Sequence, residues 1–351
     1  MKRLLIADIK SYNNNGKSTG HYFAVAQNYL DLYSDCCEVK IAGGPIFTTH
    51  FNPKDIFLLP YDYMPNMNWL KSKWRVLMNC KYIFNNTRPD DIIVIQQSGL
   101  STAILGIAMF AKKKRNIYII AYDTDAVSSP IKKIIYHLAK GKIKGLLCSD
   151  KHISDIYKIS SRIITDYIYP NTTNNLTVIP FENKKYDIAI VGSIWPDKGV
   201  IEAAEVLANT KYKVLIAGKA NKQLSDTLNN ICKSAKNIDL HIGFINDNDY
   251  YTYIQEARFC ILNYHGVYEN RSSGVALDIL FNGTPIIGHK CKALEFVENE
   301  HVGQLFDDIK QFDFSTILQK DNYCNYLTGI TNCLNKQREY KWDVIKYLCL
   351  K

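Results

Sequence analysis

NYHGVYENRSSGVALDILFNGTPII, residues 263–287, carries the densest set of signals in the chain. Polar and small residues lead into an apolar helical run that stops at Asn282-Gly283, a helix C-terminal signal, and a buried strand is expected after Pro285. Ser272, Ser273 and Gly274 at the expected helix start offer hydroxyls and backbone N–H groups to an anion such as a diphosphate, and Arg271 adds a cation. Asp278 stands on an otherwise apolar helix, where burial without a partner is costly. Asn270 and Asp278 are eight residues apart, roughly 12 Å along a helix axis, which suits contacts at two ends of one extended ligand. The plainer alternative is a helix with a polar start and an incidental acid.

Three earlier turns have related chemistry. In Ile188-Ala-Ile-Val-Gly192-Ser193-Ile-Trp-Pro-Asp-Lys198-Gly199 a buried strand ends at Gly192 and a helix is expected to begin near Gly199. Lys198 then stands near a helix N-terminus, where it neutralises a phosphate as a point charge or is simply a solvated lysine. Gly218 in Val214-Leu-Ile-Ala-Gly218-Lys219 and Gly243 in Leu240-His-Ile-Gly243-Phe244-Ile245-Asn246 each follow a strand directly. A nucleobase lying against the Gly243–Ile245 backbone is one reading, and a plain turn glycine the other.

Strand-like runs alternate with helical patterns along the whole chain. Expected strands are 4–9, 38–42, 92–96, 117–122 and 145–148, then 187–191, 213–217, 239–242, 259–263 and 284–287. Such alternation argues for an α/β protein with parallel sheets. Ten strands in two groups fit two doubly wound Rossmann-like domains, facing a cleft at the carboxyl ends of their strands. The polar stretch Tyr169-Pro-Asn-Thr-Thr-Asn-Asn175 marks the break. The expected units are 1–175 and 176–335, followed by a C-terminal helix over 336–351.

The chain has 351 residues, 47% hydrophobic and 22% charged, which fits a globular protein of two domains. The apolar run after Met1 is broken by Asp8 and reads as a first strand rather than a leader, and 103–111 is too short to span a bilayer. Ten cysteines without any C-x-x-C pair argue against a zinc site and for reduced thiols in a cytoplasmic protein. The net charge of +9 is concentrated between Lys112 and Lys144, where nine Lys/Arg face only Asp123 and Asp125. There, Ser129-Pro130 opens a helix with Ile131, Ile134, Ile135 and Leu138 on one face and Lys132, Lys133, Tyr136 and Lys140 on the other. This is either a solvated basic face or a surface that meets an anionic acceptor or rests on anionic lipid, peripheral to the inner side of a membrane. No nucleic-acid-binding motif is present, and nucleic acid is not an expected partner.

Taken in order, the signals from Asp187 to Phe306 resemble the donor-binding domain of GT-B glycosyltransferases. They are closest to the large retaining family 4, typified by bacterial glycan and lipopolysaccharide enzymes. The matching order is the Gly turn before Lys198-Gly199, Ala-Gly218, His-Ile-Gly243-Phe-Ile, the acidic positions around the Gly274 helix start, Gly283-Thr-Pro-Ile-Ile and Glu300-His-Val-Gly303. The resemblance implies a nucleotide-diphosphate sugar as donor, a glycan or lipid-linked acceptor, retention of configuration, and no required metal or other cofactor. It implies catalytic roles for Lys198, Asn270 and Asp123. Donor contacts would come from Gly16, Gly192, Ser193, Gly218, Gly243, Phe244, Ile245, Glu269, Arg271, Ser272, Ser273, Gly274 and Asp278. Two positions depart from the family pattern: Asn270 stands where Glu is usual, with Glu269 beside it, and the second acid is Asp278.

SYNNNGKSTGHYF, residues 11–23, looks like a phosphate-binding P-loop, but Ser11 occupies the position of its first glycine. The resemblance implies instead a glycine loop, Gly16 to Gly20, near donor and acceptor, with Lys17 reaching a phosphate. The rival functions are a phosphotransferase using Gly16-Lys17-Ser18, a nucleotide-sugar epimerase of the same fold, and a catalytically silent GT-B subunit. Asp123-Thr-Asp125 mimics a metal motif and equally fits a helix-capping turn.

Overall fold

The computed structural model describes residues 2–13, 22–149, 151–164, 178–269 and 272–348. The chain divides into two units, Met1–Pro170 with Glu339–Lys351, and Asn171–Arg338.

The first unit is built on seven parallel strands: β1 (Arg3–Ala7), β2 (Glu38–Gly43), β3 (Ile56–Leu58), β4 (Ile92–Ile95), β5 (Asn116–Ala121), β6 (Gly145–Cys148) and β7 (Ser161–Ile163). Their order is β3-β2-β1-β4-β5-β6-β7. The second unit holds β8 (Tyr186–Val191), β9 (Val214–Gly218), β10 (Ile238–Ile242), β11 (Ala257–Leu262), β12 (Ile286–His289) and β13 (Gly303–Phe306), in the order β10-β9-β8-β11-β12-β13 and again all parallel. Helices cover both faces of such sheets, so the inner strands are apolar without alternation. Leu4 to Ala7, Ile92 to Ile95 and Val214 to Ala217 are buried throughout.

Both sheets are doubly wound, as the alternation of patterns predicts. The strand count differs: thirteen among the described residues instead of ten. The additions are β3 and β7, three-residue pieces at the two edges of the first sheet, and β13, at an edge of the second.

The helix Pro130–Lys140 begins where Ser129-Pro130 predicts, with the Ser129 hydroxyl accepting from Lys132 N–H. Its orientation corrects the expected facing. Tyr136 and Ala139 point inward, while Ile131, Ile134 and Leu138 are exposed. The Tyr136 hydroxyl donates to the Tyr157 carbonyl at 2.6 Å and the two rings meet edge to face, which fixes this rotation about the helix axis. Ile135 alone of the four apolar residues packs partly against the core.

The C-terminal helix is longer than its sequence pattern suggests, running Lys320–Tyr347. Its residues up to Arg338 belong to the second unit and those from Glu339 to the first. There Asp343 pairs with Arg162, and the Tyr347 hydroxyl donates to the Ser160 carbonyl and accepts from Leu146 N–H.

Just beyond β1, Asp8 is fully buried, and its carboxylate accepts from the N–H groups of Lys10 and Ser11. Burial raises its pKa to about 6, against the pull of those two N–H groups. In the unfolded chain the group ionises near its ordinary 3.8. Between these values the folded state binds the extra proton, so stability falls as pH rises from about 4 to 6 and the full cost persists above 6. Asp8→Asn is therefore expected to stabilise the protein by about 2 kcal/mol at pH 7.5 and by nearly nothing at pH 4. Urea unfolding at both pH values checks this, and an equal effect at both would show that ionisation is not the cause.

Candidate functional site

The strand order of the second sheet reverses between β8 and β11. Segments leaving the carboxyl ends of these two neighbours diverge to opposite faces, and the crevice between them is where open α/β sheets receive ligands. The sequence candidates of this half cluster here.

From β8 the chain enters Gly192, whose N–H donates to the Ala217 carbonyl at 3.0 Å, and Ile194 N–H donates to the Lys219 carbonyl at 2.8 Å. Gly243 N–H donates in turn to the Gly218 carbonyl at 3.0 Å. The turns after β8, β9 and β10 are thus stitched side by side, bringing Gly192, Gly218 and Gly243 into one row. Beyond that row Phe244 is 88% exposed.

After Ser193 and Ile194 the chain makes one 3-10 turn, Pro196–Lys198, and Gly199 takes a left-handed φ of 56°. A Cβ on Gly199 would sit 2.2 Å from the Asn263 carbonyl oxygen, so both space and conformation require glycine here. This sharp turn returns Lys198 toward the sheet. The lysine is only 8% exposed, and its Nζ lies 5.8 Å from the ring centroid of Tyr264, just beyond β11, within cation–π range. Nζ also comes within 3.7 Å of the place a Gly192 Cβ would occupy.

Tyr264 links this cation to the helix Gly274–Phe281. Its hydroxyl shares a 2.9 Å hydrogen bond with the Ser273 hydroxyl, and Ser273 caps the helix by accepting from Ala276 N–H. Tyr268 stacks on the Tyr264 ring with centroids 3.9 Å apart. Val275, in the first helical turn, lies 3.3 Å from the Gly192 Cβ position. Lys198, the Gly192 turn and the start at Ser273 and Gly274 therefore meet at the switch point. A buried ammonium beside a helix N-terminus is an arrangement that favours an anion.

Asp278 is 4% exposed and accepts from the Tyr250 hydroxyl at 3.0 Å. Tyr250 belongs to the helix Asp247–Gln255, which follows the Gly243–Ile245 turn, and burial together with the Asp278 charge drives its phenol pKa well up. The acid and the turn thus belong to interlocked elements. Ser193 and Glu269 are exposed, and Ser272 is half-buried. Asn270 and Arg271, and Gly16 with the rest of the 14–21 loop including Lys17, Ser18 and Gly20, lie outside the described residues.

Asp123 belongs to the first unit, at the carboxyl end of β5. Its carboxylate accepts from Asp125 N–H at 2.9 Å, the capping geometry, while Asp125 pairs with Lys132 and bonds Ser101. Among the described residues no three His, Cys, Asp or Glu side chains come together in a way that holds a metal ion.

Sequence reasoning missed two parts of this region. One is Tyr264, whose only signal is an aromatic residue just past the strand that flanks the switch point. The other is a cavity of about 400 Å³ bounded by Trp195, Glu202, His265 and Lys310. The Asn263 amide donates to Gly199 and to Glu202, and Lys310 and His265 approach the same carboxylate at 3.3 and 3.6 Å. The Asn263 hydrogen bond, helped by Lys310, holds the Glu202 pKa below its usual value, and burial with His289 nearby lowers that of His265.

No protein-family model matches the chain, and no curated protein sequence matches it significantly. Solved structures do. AviGT4, a glycosyltransferase involved in avilamycin A biosynthesis, is 11% identical with a TM-score of 0.63, over 99% of this chain and 97% of that one. A glycosyltransferase from Rickettsia africae is 12% identical with a TM-score of 0.68, over 99% and 98%. An α,α-trehalose-phosphate synthase (UDP-forming) from Burkholderia xenovorans, in complex with glucose-6-phosphate, is 9% identical with a TM-score of 0.68, over 99% and 100%. The likeness spans essentially the whole chain in each case, and the chain has the GT-B fold of these proteins.

Proposed function

We propose that the protein transfers a sugar, with retention, from a nucleotide-diphosphate sugar to a glycan or lipid-linked acceptor in polysaccharide biosynthesis. The observation that carries this reading is the buried Lys198 ammonium held against Tyr264, beside the helix start that Tyr264 shares through Ser273. Glycosyl transfer of this kind breaks the bond between the anomeric carbon and the diphosphate oxygen, and the diphosphate departs with the electron pair. A fixed cation and backbone N–H groups aimed at that oxygen stabilise the charge as it develops, without reorganisation during the step. The acceptor oxygen bonds to the anomeric carbon, and its proton passes to the departing diphosphate.

In this reading Gly192 and Gly218 let the donor approach the strand ends, while Ser193, Ser272, Ser273 and Gly274 serve the diphosphate. The Gly243–Ile245 turn receives the base and Asp278 the ribose. Glu269, Arg271 and Gly16 are assigned to donor binding, and Asn270 and Asp123 to catalysis, as the family resemblance implies. No metal or cofactor is required. The UDP-forming activity in the name of the Burkholderia structure supports a nucleotide-sugar donor.

Titration calorimetry across UDP-, GDP- and CMP-sugars tests the reading. One nucleotide class is expected to bind, and Lys198→Met to weaken that binding. Absence of binding to every donor overturns it, and release of an altered nucleotide-sugar without any acceptor would identify an epimerase instead.

A further inference from the structure

The helix Pro130–Lys140 presents its apolar residues to solvent. Ile131, Ile134 and Leu138 are 71%, 63% and 66% exposed, and their spacing of three and four places them in one stripe along the helix. Isolated apolar residues at a surface are ordinary, but a continuous stripe marks a surface that another phase or molecule covers.

Cations surround this stripe. Lys133 is exposed on the same helix, and Lys140 ends it. The Lys142 ammonium donates to the carbonyls of Ile107 and Ala108, tying this end of the helix to the end of the helix Leu100–Phe110. That second helix exposes Met109 and runs into the exposed Lys112, Lys113 and Lys114. From Gly99 to Ser149 the only acids are Asp123 and Asp125, and Asp125 is paired with Lys132. The patch is thus apolar along its ridge and positive at its rim.

We propose that this face lies on an anionic lipid bilayer, with Ile131, Ile134 and Leu138 entering the boundary between headgroups and acyl chains and the lysines meeting lipid phosphates. Charge selects this occupant: the acyl boundary receives the ridge, and the anionic headgroups match the rim. Among the described residues no helix is long and apolar enough to cross a membrane, so the association is peripheral. The proposal goes beyond glycosyl transfer and does not rest on it.

Flotation of the full chain with phosphatidylcholine vesicles, with and without phosphatidylglycerol, tests it. Binding is expected only with phosphatidylglycerol, and added salt should weaken it. Ile134→Glu with Leu138→Glu, both at exposed positions, should lower the bound fraction at least about tenfold with an unchanged circular dichroism spectrum. Lys133→Glu with Lys140→Glu should do the same through the rim. Equal binding by parent and variants overturns the proposal, as does failure of the parent to bind anionic vesicles. A concentration-dependent dimer that the Ile134→Glu and Leu138→Glu changes dissolve, without vesicle binding, would assign the ridge to a second copy and overturn it as well.

Discussion

Gly218→Ala is expected to unfold the second unit or to lower its thermal midpoint by about 10 °C or more. A Cβ at this position would lie 1.8 Å from the Gly192 carbonyl oxygen and 2.9 Å from its carbon. Carbon and oxygen need well over 3 Å, so the ends of β8 and β9 would have to separate by more than 1 Å. Neither side yields easily. Gly192 N–H is bonded to Ala217, Ile194 N–H to Lys219 and Gly243 N–H to Gly218 itself. Each group that loses its partner costs about 1–3 kcal/mol, so losing two or three costs about 2–9 kcal/mol, which reaches the range in which a substitution is exceptional. At about 2–4 °C per kcal/mol for a unit of this size, the midpoint shift follows. Gly141→Ala is the control, because nothing lies within 4 Å of its Cβ position. Thermal unfolding by circular dichroism compares them, and a native-like midpoint for Gly218→Ala would mean that these turns are not stitched together.

The second large effect is catalytic. Lys198→Met keeps an apolar stem over Tyr264 and removes the charge, and turnover is expected to fall at least tenfold, about 1.4 kcal/mol of barrier. A preorganised donor facing developing negative charge is commonly worth more, about 2.7–4 kcal/mol, so a hundredfold loss is within range. The loss should appear chiefly in kcat, because the charge on the diphosphate grows as the sugar bond breaks. Unchanged kcat in a variant with the parent's thermal midpoint would remove Lys198 from the reaction.

Much of the second unit is legible in the sequence because local rules coincide there. The helix Gly274–Phe281 starts at its Ser273 cap and stops before Asn282-Gly283, as the residues require, and Gly192, Gly218 and Gly243 fall at strand ends. The short strands Ile56–Leu58 and Ser161–Ile163 escaped because three residues at a sheet edge give no period to read, and pairing with a neighbour alone defines them. Periodicity also identifies which residues share a helix face but not which face turns inward. For Pro130–Lys140 a single buried phenol, Tyr136 against Tyr157, decided that. The couplings that shape the site are long-range pairs that no spacing rule reaches: Tyr250 with Asp278, and Lys198 with Tyr264.

The divided first unit bears on the order in which the chain is made. Residues up to 170 leave the ribosome first, yet the helical segment from Glu339 that packs with them is synthesised only after all of 171–338. Until it arrives, Leu146 N–H and the Ser160 carbonyl lack Tyr347, and Arg162 lacks Asp343. The nascent first unit must wait with that flank uncovered while the second folds as an uninterrupted stretch. The later unit can therefore reach its final state before the earlier one.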